Sequence, residues 1–281
     1  MLSYRHGFHA GMHADVLKHA VLVHMLEYLV QKEKPLWYID THAGAAEYSL
    51  ESRYAKTSGE HATGISRLWP RTDIPQSLAP YLELIRTWNR DGTLRHYPGS
   101  PGIADRLLRK TDRLRLFELH PTEIRVLQKH FQNAAPRVIA QAGDGFESLP
   151  ALLPPVSRRG LVLIDPSYED KRDYPRVIAA LQGGLERFAT GTYMVWYPQI
   201  KRREAQEFPQ KLKRLRPTGW LHVTLTVKAP PTDGFGIYGS GVFILNPPYT
   251  LPGTLASFVP YLARTLAQDG EATHRLECKL E

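Results

Sequence analysis

A chain of 281 residues with 42% hydrophobic and 23% charged residues has the composition of a globular protein with one large or two small domains. It lacks an apolar run long enough to span a membrane, and its single cysteine, Cys278, excludes an internal disulfide, so we expect a cytoplasmic protein. The net charge of +8 favours a polyanionic partner.

The amino-terminal region begins with a glycine-broken, histidine-rich loop over residues 4–13. Asp15 is a candidate cap for a helix that runs to about Lys32, with one broad apolar face. The histidine spacing matches no standard zinc site, so no metal is predicted. The histidines are better read as polar contacts to a ligand or to RNA, or as a solvated arm.

The first predicted strand, 36–40, ends in Asp40 and leads into a turn of small residues over 41–48. Such a turn lets a nucleoside-bearing cofactor approach the backbone closely. The turn lacks the Gly-x-Gly-x-x-Gly pattern, so a dinucleotide site is not supported. Many ordinary strand-to-helix turns share these features, and the motif is weak alone.

Residues 49–97 are too many for a bare loop, and they contain proline breaks and short helical patterns. We therefore predict an inserted helical subdomain at 49–97 and a core made of 1–48 and 98–281. The core resumes where Ser100 can cap a helix and Pro101 can take its first position. The amino end of this helix, which extends to about Lys110, can hold an anionic group.

Two further strand ends carry acids. The second strand, 114–119, contains Glu118, which can accept hydrogen bonds from ribose hydroxyl groups or can simply be a surface residue. The third strand, 137–142, is followed by Gly143-Asp144-Gly145. Asp144 can accept from an adenine amino group or can be an ordinary turn residue.

The fourth strand has the clearest chemistry. Leu161–Ile164 reads as a buried parallel strand that stops at Asp165-Pro166-Ser167-Tyr168. An exocyclic amine is a poor nucleophile, and the Asp165 carboxylate and the Pro166 carbonyl can both accept its N–H bonds. Tyr168 can stack on an extruded base. In isolation, an ordinary Asp-Pro turn is the alternative.

Three more strands are predicted at 192–197, 220–227 and 241–246, with helices near 173–188 and 202–214 and a loop over 228–238. The basic residues of 201–216 can follow a phosphate backbone or form a solvated helix face. A last helix over 254–268 and a frayed tail complete the chain.

A second tetrapeptide, Asn246-Pro247-Pro248-Tyr249, matches the amine-methylation motif better by its letters. Three strands follow Asp165, as a seven-stranded sheet requires, whereas only one helix and a tail follow Asn246. We therefore assign the active tetrapeptide to 165–168. The second one is predicted to be structural or to line the substrate cleft.

In this order the sequence resembles the RlmJ family of 23S ribosomal RNA adenine-N6 methyltransferases over nearly its whole length. The matching motifs are Tyr4-Arg-His-x-Phe-His-Ala-Gly, Ala14-Asp-Val-Leu-Lys-His19, Asp40-Thr-His-Ala-Gly44, Gly64-Ile-x-Arg-Leu-Trp69, Tyr97-Pro-Gly-Ser-Pro101, Glu118-Leu-His-Pro121, Gly143-Asp-Gly145 and Asp165-Pro-Ser-Tyr-Glu169. Gly11-Met-His13 departs mildly from the expected pattern.

The resemblance implies an α/β fold with a Rossmann-like, seven-stranded S-adenosylmethionine-dependent methyltransferase core. It implies a 23S ribosomal RNA substrate, and we expect a monomer that needs no metal. The implied cofactor-binding residues are His19, His42, Ser100, Glu118, Asp144, Gly145 and Asp165. Asp165, Pro166 and Tyr168 are the expected catalytic residues, and Tyr4, Lys18 and Tyr168 the expected substrate contacts.

Alternatives remain at this point. DNA adenine and protein amide methyltransferases use related tetrapeptides, and the net charge cannot separate RNA from DNA. A non-catalytic RNA-binding assembly factor on the same fold is disfavoured by the intact Asp40, Glu118 and Asp165. A nicotinamide-dependent oxidoreductase fits least, because the glycine fingerprint is missing.

Overall fold

The structure, a computed structural model, describes residues 5–215 and 217–280. Within them the strands are β1 (Trp37–Asp40), β2 (Glu47–Ser49), β3 (His96–Pro98), β4 (Arg113–Glu118), β5 (Val138–Ala142), β6 (Gly160–Ile164), β7 (Thr192–Gln199), β8 (Trp220–Thr226), β9 (Gly239–Leu245) and β10 (Thr273–Lys279).

The predicted helices are present, with ends that differ by up to about three residues, and the short helix Arg53–Ser58 was not predicted. The helices are α1 (His13–Leu29), α2 (Arg53–Ser58), α3 (Ile65–Leu68), α4 (Ala79–Arg86), α5 (Ser100–Leu107), α6 (Pro121–His130), α7 (Gly145–Leu152), α8 (Asp173–Arg187), α9 (Arg203–Lys213) and α10 (Leu251–Thr265). None of these helices is both long and apolar enough to cross a bilayer.

One large sheet has the strand order β10-β8-β9-β7-β6-β1-β4-β5. The five strands from β5 to β7 run parallel, and β9 is antiparallel to both of its neighbours. β6 lies between β1 and β7, and all five of its residues are buried, as its unbroken apolar run predicts. The predicted α/β fold class, a Rossmann-like core with helices around the sheet, is confirmed.

Three local predictions were wrong. The tail is not frayed, because β10 pairs antiparallel with β8 and makes an eighth strand. Asp15 does not cap α1: the N-cap is Met12, and Asp15 lies in the first turn. Ser100 is the first residue of α5, and Gly99 occupies the N-cap position.

The segment 49–97 is largely helical, as predicted. β2 and β3 pair antiparallel where it leaves and rejoins the core. Several of its apolar residues, such as Ile65 and Tyr81, are fully buried in the same hydrophobic core as α1. The division of the chain into a core and an inserted subdomain stays a prediction.

The second tetrapeptide lies far from the first. β9 is antiparallel to β7, which is parallel to β6, so the end of β9 lies at the edge of the sheet opposite the end of β6. There the Asn246 side-chain amide donates to the carbonyls of Ala189 and Gly191, both at 2.7 Å. Of the two predicted roles, the structure gives Asn246 the structural one.

Candidate active site

A pocket opens at the edge of the sheet where the parallel strands β1, β4 and β6 end, which is where ligands bind in open α/β sheets. It contains most of the predicted site residues. Its lining includes His6, Lys18, His19, His42, Gly44, Ser100, Glu118, Leu119, Asp165, Pro166, Ser167 and Arg176.

Asp165 follows β6 directly and is joined to α1 by an ion pair. Its Oδ2 accepts from the Lys18 ammonium at 2.5 Å, and the same ammonium lies 3.0 Å from Oδ1 of Asp15. Oδ2 of Asp15 accepts from the Gly11 amide at 3.0 Å and lies 2.9 Å from Nε2 of His6. Helix α1 and the loop before it therefore fix the Asp165 carboxylate at the end of β6.

These charges shift one another's pKa values. Burial raises the pKa of Asp165, and the nearby Lys18 ammonium opposes that rise. Burial would also raise the pKa of Asp15, but His6, Lys18 and His19 outweigh it and hold that pKa well below its usual range. The two carboxylates in turn raise the pKa of Lys18 against the effect of burial. Lys18 is therefore a permanent cation within the site.

Behind the pocket, Asp40 is fully buried and accepts hydrogen bonds from two hydroxyl groups. Its Oδ2 accepts from the Tyr38 hydroxyl at 2.8 Å and from the Ser100 hydroxyl at 2.7 Å. Burial raises the pKa of Asp40 to about 6, although both hydroxyl donors act in the opposite direction. Asp40 thus supports Ser100, which lines the pocket, and is not itself part of the lining.

His19 and His42 lie at the pocket as predicted. The His19 Nδ1 lies 3.0 Å from the Tyr97 hydroxyl, and its buried Nε2 has no hydrogen-bond partner among the described residues. Burial lowers the pKa of His42 to about 4 and that of His19 to about 3, so both rings are neutral near pH 7. A neutral ring with an unused nitrogen can donate to, or accept from, a ligand.

Glu118 lies at the end of β4, as predicted. Its two oxygens accept from the Gly44 amide at 2.8 Å and from the His120 amide at 2.7 Å. Gly44 has φ +58°, a conformation that disfavours other residues, so the small-residue turn is required to bring this amide to Glu118. Each carboxylate oxygen keeps a further lone pair for a ligand hydroxyl.

Asp144 and Gly145 do not line the pocket. Asp144 caps α7 by accepting from the Phe146 amide at 2.9 Å, and it forms an ion pair with Arg176. Arg176 belongs to α8, lines the pocket and lies over the Phe146 ring at 4.5 Å from its centroid. Asp144 is therefore linked to the pocket through Arg176.

Tyr168 does not lie where base stacking requires. Its φ of +55° directs the side chain into the core, where the ring contacts Tyr174, Trp196 and Phe208 and is 2% exposed. Its hydroxyl donates to the Trp196 carbonyl at 2.8 Å. The expected stacking role is corrected to one of anchoring the tetrapeptide, whose last carbonyl accepts from Arg202 at 2.8 Å.

The remaining predicted contacts are Lys18 and Tyr4. Lys18 lines the pocket, but its ammonium is occupied by the two carboxylates and the side chain is 5% exposed. Tyr4 lies outside the described residues. In the part of the chain that is described, no group of three or more His, Cys, Asp or Glu side chains could hold a metal ion.

Sequence patterns did not identify three residues at the site. Arg176 is one of many arginines, and nothing in its neighbours marks it. Leu119 is 45% exposed and lines the pocket. Its position directly after Glu118 could have identified it as a pocket residue. Trp196 lies beneath the Lys18 ammonium, which is 5.9 Å from its ring centroid.

The strand order, and a pocket at the ends of the parallel strands, define the class of protein as Rossmann-like α/β. A family model described as "Ribosomal RNA large subunit methyltransferase D, RlmJ" matches residues 33–277. The chain belongs to this RlmJ family, as its motifs predicted.

Individual relatives agree with this assignment. The chain is 45% identical to "Ribosomal RNA large subunit methyltransferase J" of Escherichia coli strain K12, with 96% of both chains covered. It is 44% identical to the protein of the same name from Haemophilus influenzae, over 99% of this chain and 98% of the other. The crystal structure of protein LPL1258 from Legionella pneumophila superposes with a TM-score of 0.87 at 37% identity, covering 96% of this chain and 98% of that one.

Proposed function

We propose that this protein transfers a methyl group from S-adenosylmethionine to the N6 amino group of an adenine in 23S ribosomal RNA. The observation that carries the proposal is Asp165 at the end of β6, held by Lys18 at 2.5 Å and lining the pocket. Its Oδ1 has no hydrogen-bond partner among the described residues and is available to an incoming amine. The names of the relatives, together with the net charge of +8, support ribosomal RNA as the substrate.

The pocket fits a nucleoside cofactor with an amino-acid tail. Glu118 would accept from the ribose hydroxyls, and the exposed Leu119 side chain beside it offers an apolar surface to a base. The unused Nε2 of His19 and the Ser100 hydroxyl lie on the α1 and α5 side, where they would bind the charged tail. His42 would flank the base, and Asp144 would act on this side of the pocket only through Arg176, which it holds in an ion pair. Bound S-adenosylmethionine would supply a methyl group already activated by its sulfonium sulfur, so the proposed transfer needs no metal ion.

Asp165 and the Pro166 carbonyl would accept the two N–H bonds of the adenine amine and direct its lone pair at the methyl group. Such positioning supplies most of the acceleration, because the reacting atoms need only approach in line. Deprotonation of the amine would follow methyl transfer, since its acidity rises only then. Tyr168 would hold the tetrapeptide rigid from below instead of stacking on the base.

Charge near Asp165 also favours this reaction. The amine becomes positive as the methyl group arrives, and the Asp165 carboxylate would lie beside it. Fixed negative charge close to a developing positive charge lowers the barrier, because these groups need no reorganisation. Lys18 would therefore orient Asp165 and favour its ionised form, and would not bind substrate directly.

The test compares Asp165→Asn and Asp165→Ala with Asp91→Asn, which changes an exposed carboxylate on the surface. We expect both Asp165 variants to lose methylation of 23S ribosomal RNA while they keep wild-type thermal unfolding, and Asp91→Asn to stay active. Mass mapping of nucleosides in the RNA product identifies the modified base, and duplex DNA serves as the competing substrate. Turnover retained in Asp165→Ala would contradict the proposed role, and preferential methylation of DNA would contradict the substrate.

A further inference from the structure

The loop between β8 and β9 presents one large aromatic side chain to solvent. Phe235 is 81% exposed, and it stands between Gly234 and Gly236, whose φ values are +80° and +94°. Single exposed apolar residues are common on protein surfaces, so exposure alone indicates no function. Its position on the molecule distinguishes Phe235 from the others.

This loop, residues 227–238, lies at the active edge of the sheet. β8 runs parallel to β7, because both are antiparallel to β9, so the loop leaves the sheet on the same side as the end of β6. The amides of Val227 and Tyr238 donate at its base to the Tyr238 and Gln199 carbonyls, at 2.9 and 3.1 Å. Near its tip the Phe235 amide donates to the Asp233 carboxylate at 3.0 Å. The backbone is therefore tied down, while the ring of Phe235 remains outside.

Hydrogen bonds of Gln199 and Arg202 connect the base of the loop to the active tetrapeptide. The chain leaves Gln199, which accepts from the base of the loop, and reaches Arg202 three residues later. Arg202 donates to the carbonyl of Tyr168, the last residue of the tetrapeptide. Lys201 beside it and Lys171 after the tetrapeptide are exposed, and neither forms an ion pair within the described parts of the chain.

We define the edge strip as Lys171, Lys201, Arg202, Lys228 and Phe235. Cations near an exposed aromatic ring are the features by which proteins hold single-stranded nucleic acid, with phosphates on the cations and a base stacked on the ring. Acids are also present along this edge. Glu169, Asp170 and Glu204 line the same surface depression as Lys171 and Arg202, and Asp170 is paired with Arg172. Asp233 and Asp269 accept from backbone amides within or beside the loop. In the described parts of the chain, the three lysines of the edge strip form no ion pair, Arg202 donates to the Tyr168 carbonyl, and the ring of Phe235 faces solvent.

We propose that the edge strip binds the unpaired RNA that flanks the target adenine, and that Phe235 stacks on one of its bases. This inference rests on the proposed function, since an adenine lifted out of its stack for methylation leaves its neighbours unpaired. Stacking tolerates any base, so Phe235 contributes affinity for single-stranded RNA and Asp165 determines the chemistry. Two flanking glycines with positive φ suit a ring that must extend away from its own chain.

The test measures KM for a 23S ribosomal RNA fragment and kcat for four proteins: wild type, Phe235→Ala, Phe235→Leu and Phe235→Trp. Loss of one stacked base raises the RNA KM about tenfold in Phe235→Ala. Phe235→Leu behaves like Phe235→Ala, because leucine is apolar but cannot stack, whereas Phe235→Trp retains wild-type KM. The matched control is Val156→Ala, which removes a side chain that is 93% exposed in the segment before β6, at the opposite edge of the sheet. Its KM stays at the wild-type value.

Three outcomes would overturn the proposal. They are equal RNA KM for Phe235→Ala and Val156→Ala, rescue by leucine, and a change in oligomeric state on gel filtration, which would make Phe235 a protein contact. Affinity for S-adenosylhomocysteine, measured by calorimetry, stays the same in all variants. Failure of the wild-type protein to methylate any RNA fragment would instead contradict the proposed function.

Discussion

Lys18 joins two carboxylates that would otherwise repel each other. Asp15 is held in the first turn of α1 and Asp165 at the end of β6, and the Lys18 ammonium is within 3.0 Å of both. The ion pair is buried, so it costs desolvation, and its value lies in geometry more than in stability. It fixes the Asp165 side chain, which aims the amine in the proposed reaction.

This contact makes a prediction for the Lys18→Met variant. Burial raises the pKa of Asp165 and Lys18 opposes the rise, so removal of the ammonium raises that pKa further. A larger fraction of Asp165 is then protonated near neutral pH. We expect kcat to fall about a hundredfold, as it does when a reacting group is misplaced, and the acid limb of the pH profile of kcat to move to higher pH.

Lys18→Arg is the control, because it keeps a cation between the carboxylates. We expect its acid limb to stay near that of the wild-type protein even if the larger guanidinium lowers kcat. Urea unfolding of both variants separates loss of the fold from loss of chemistry. A pH profile of Lys18→Met that coincides with the wild-type profile would show that Lys18 does not control the ionisation of Asp165.

For single residues, the location of the candidate site could be predicted from the sequence, but the orientation of its side chains could not. Asp165 and Glu118 were found because acids at the carboxyl ends of parallel strands meet at one edge. Tyr168 was misread because its φ of +55° turns the ring into the core, and no neighbouring residue signals that conformation. The pairing of Asp144 with Arg176 joins residues 32 positions apart, beyond any local pattern.

Between elements, α7 approaches the turn after β1 closely near the pocket. A Cβ on Gly145, the first residue of α7, would lie 2.1 Å from the Thr41 carbonyl oxygen and 2.5 Å from its Cα. Both atoms belong to the backbone, so neither can move aside as a flexible side chain would. This contact explains why glycine follows Asp144, whatever Gly145 contributes to cofactor binding.

Gly145→Ala should therefore destabilise the protein. Overpacking of this kind costs about 1–3 kcal/mol, and here the strain falls on the turn that lines the pocket. We expect a lower urea midpoint together with weaker binding of S-adenosylhomocysteine, measured by denaturation and by calorimetry.

Gly183→Ala provides the matched control. Gly183 lies inside α8, and a Cβ there would meet nothing within 4 Å. Alanine in an open helical position stabilises a protein by about 0.5–1 kcal/mol relative to glycine. Equal responses of the two variants would show that the contact between α7 and the turn carries no strain.

Strands could be predicted from the sequence where their residues form an unbroken apolar run. β6 and β7 are continuous apolar runs because helices or neighbouring strands cover them, and their positions agree with the sequence pattern. β10 was missed because it lies at the edge of the sheet, and none of its residues is fully buried. Its sequence, Thr-His-Arg-Leu-Glu-Cys-Lys, therefore lacks the apolar signal of a strand.

Over the whole molecule, the two edges of the sheet differ. The pocket lies at the edge where β6 ends, and the tetrapeptide 246–249 lies at the opposite edge. The parallel order of β5, β4, β1, β6 and β7 brings the ends of distant segments to one pocket. The same order decided between the two tetrapeptides, because strand counting separates them although their letters do not. The succession of seven sheet strands could be predicted from the sequence, whereas β10 and the depth of burial of the charged groups required the structure.

The stability of the whole protein should depend on pH through a histidine that is buried in the antiparallel half of the sheet. His222 is 5% exposed, stacks beside Tyr197 and lies 2.8 Å from its hydroxyl. Burial lowers its pKa from 6.5 to about 4. Unfolding between these two values therefore takes up a proton, so the contribution of His222 to stability is present above pH 6.5 and is lost as the pH falls toward 4.

His222→Gln should remove this dependence while it keeps a polar group near the Tyr197 hydroxyl. Between pH 7 and pH 5 the wild-type protein should lose on the order of 1–2 kcal/mol more free energy of unfolding than the variant does. Urea denaturation at both pH values measures the difference. His274→Gln is the control, since His274 is exposed on β10 and its substitution should leave the wild-type pH dependence unchanged. Parallel pH dependences for the wild-type protein and His222→Gln would mean that His222 is not held neutral by the sheet.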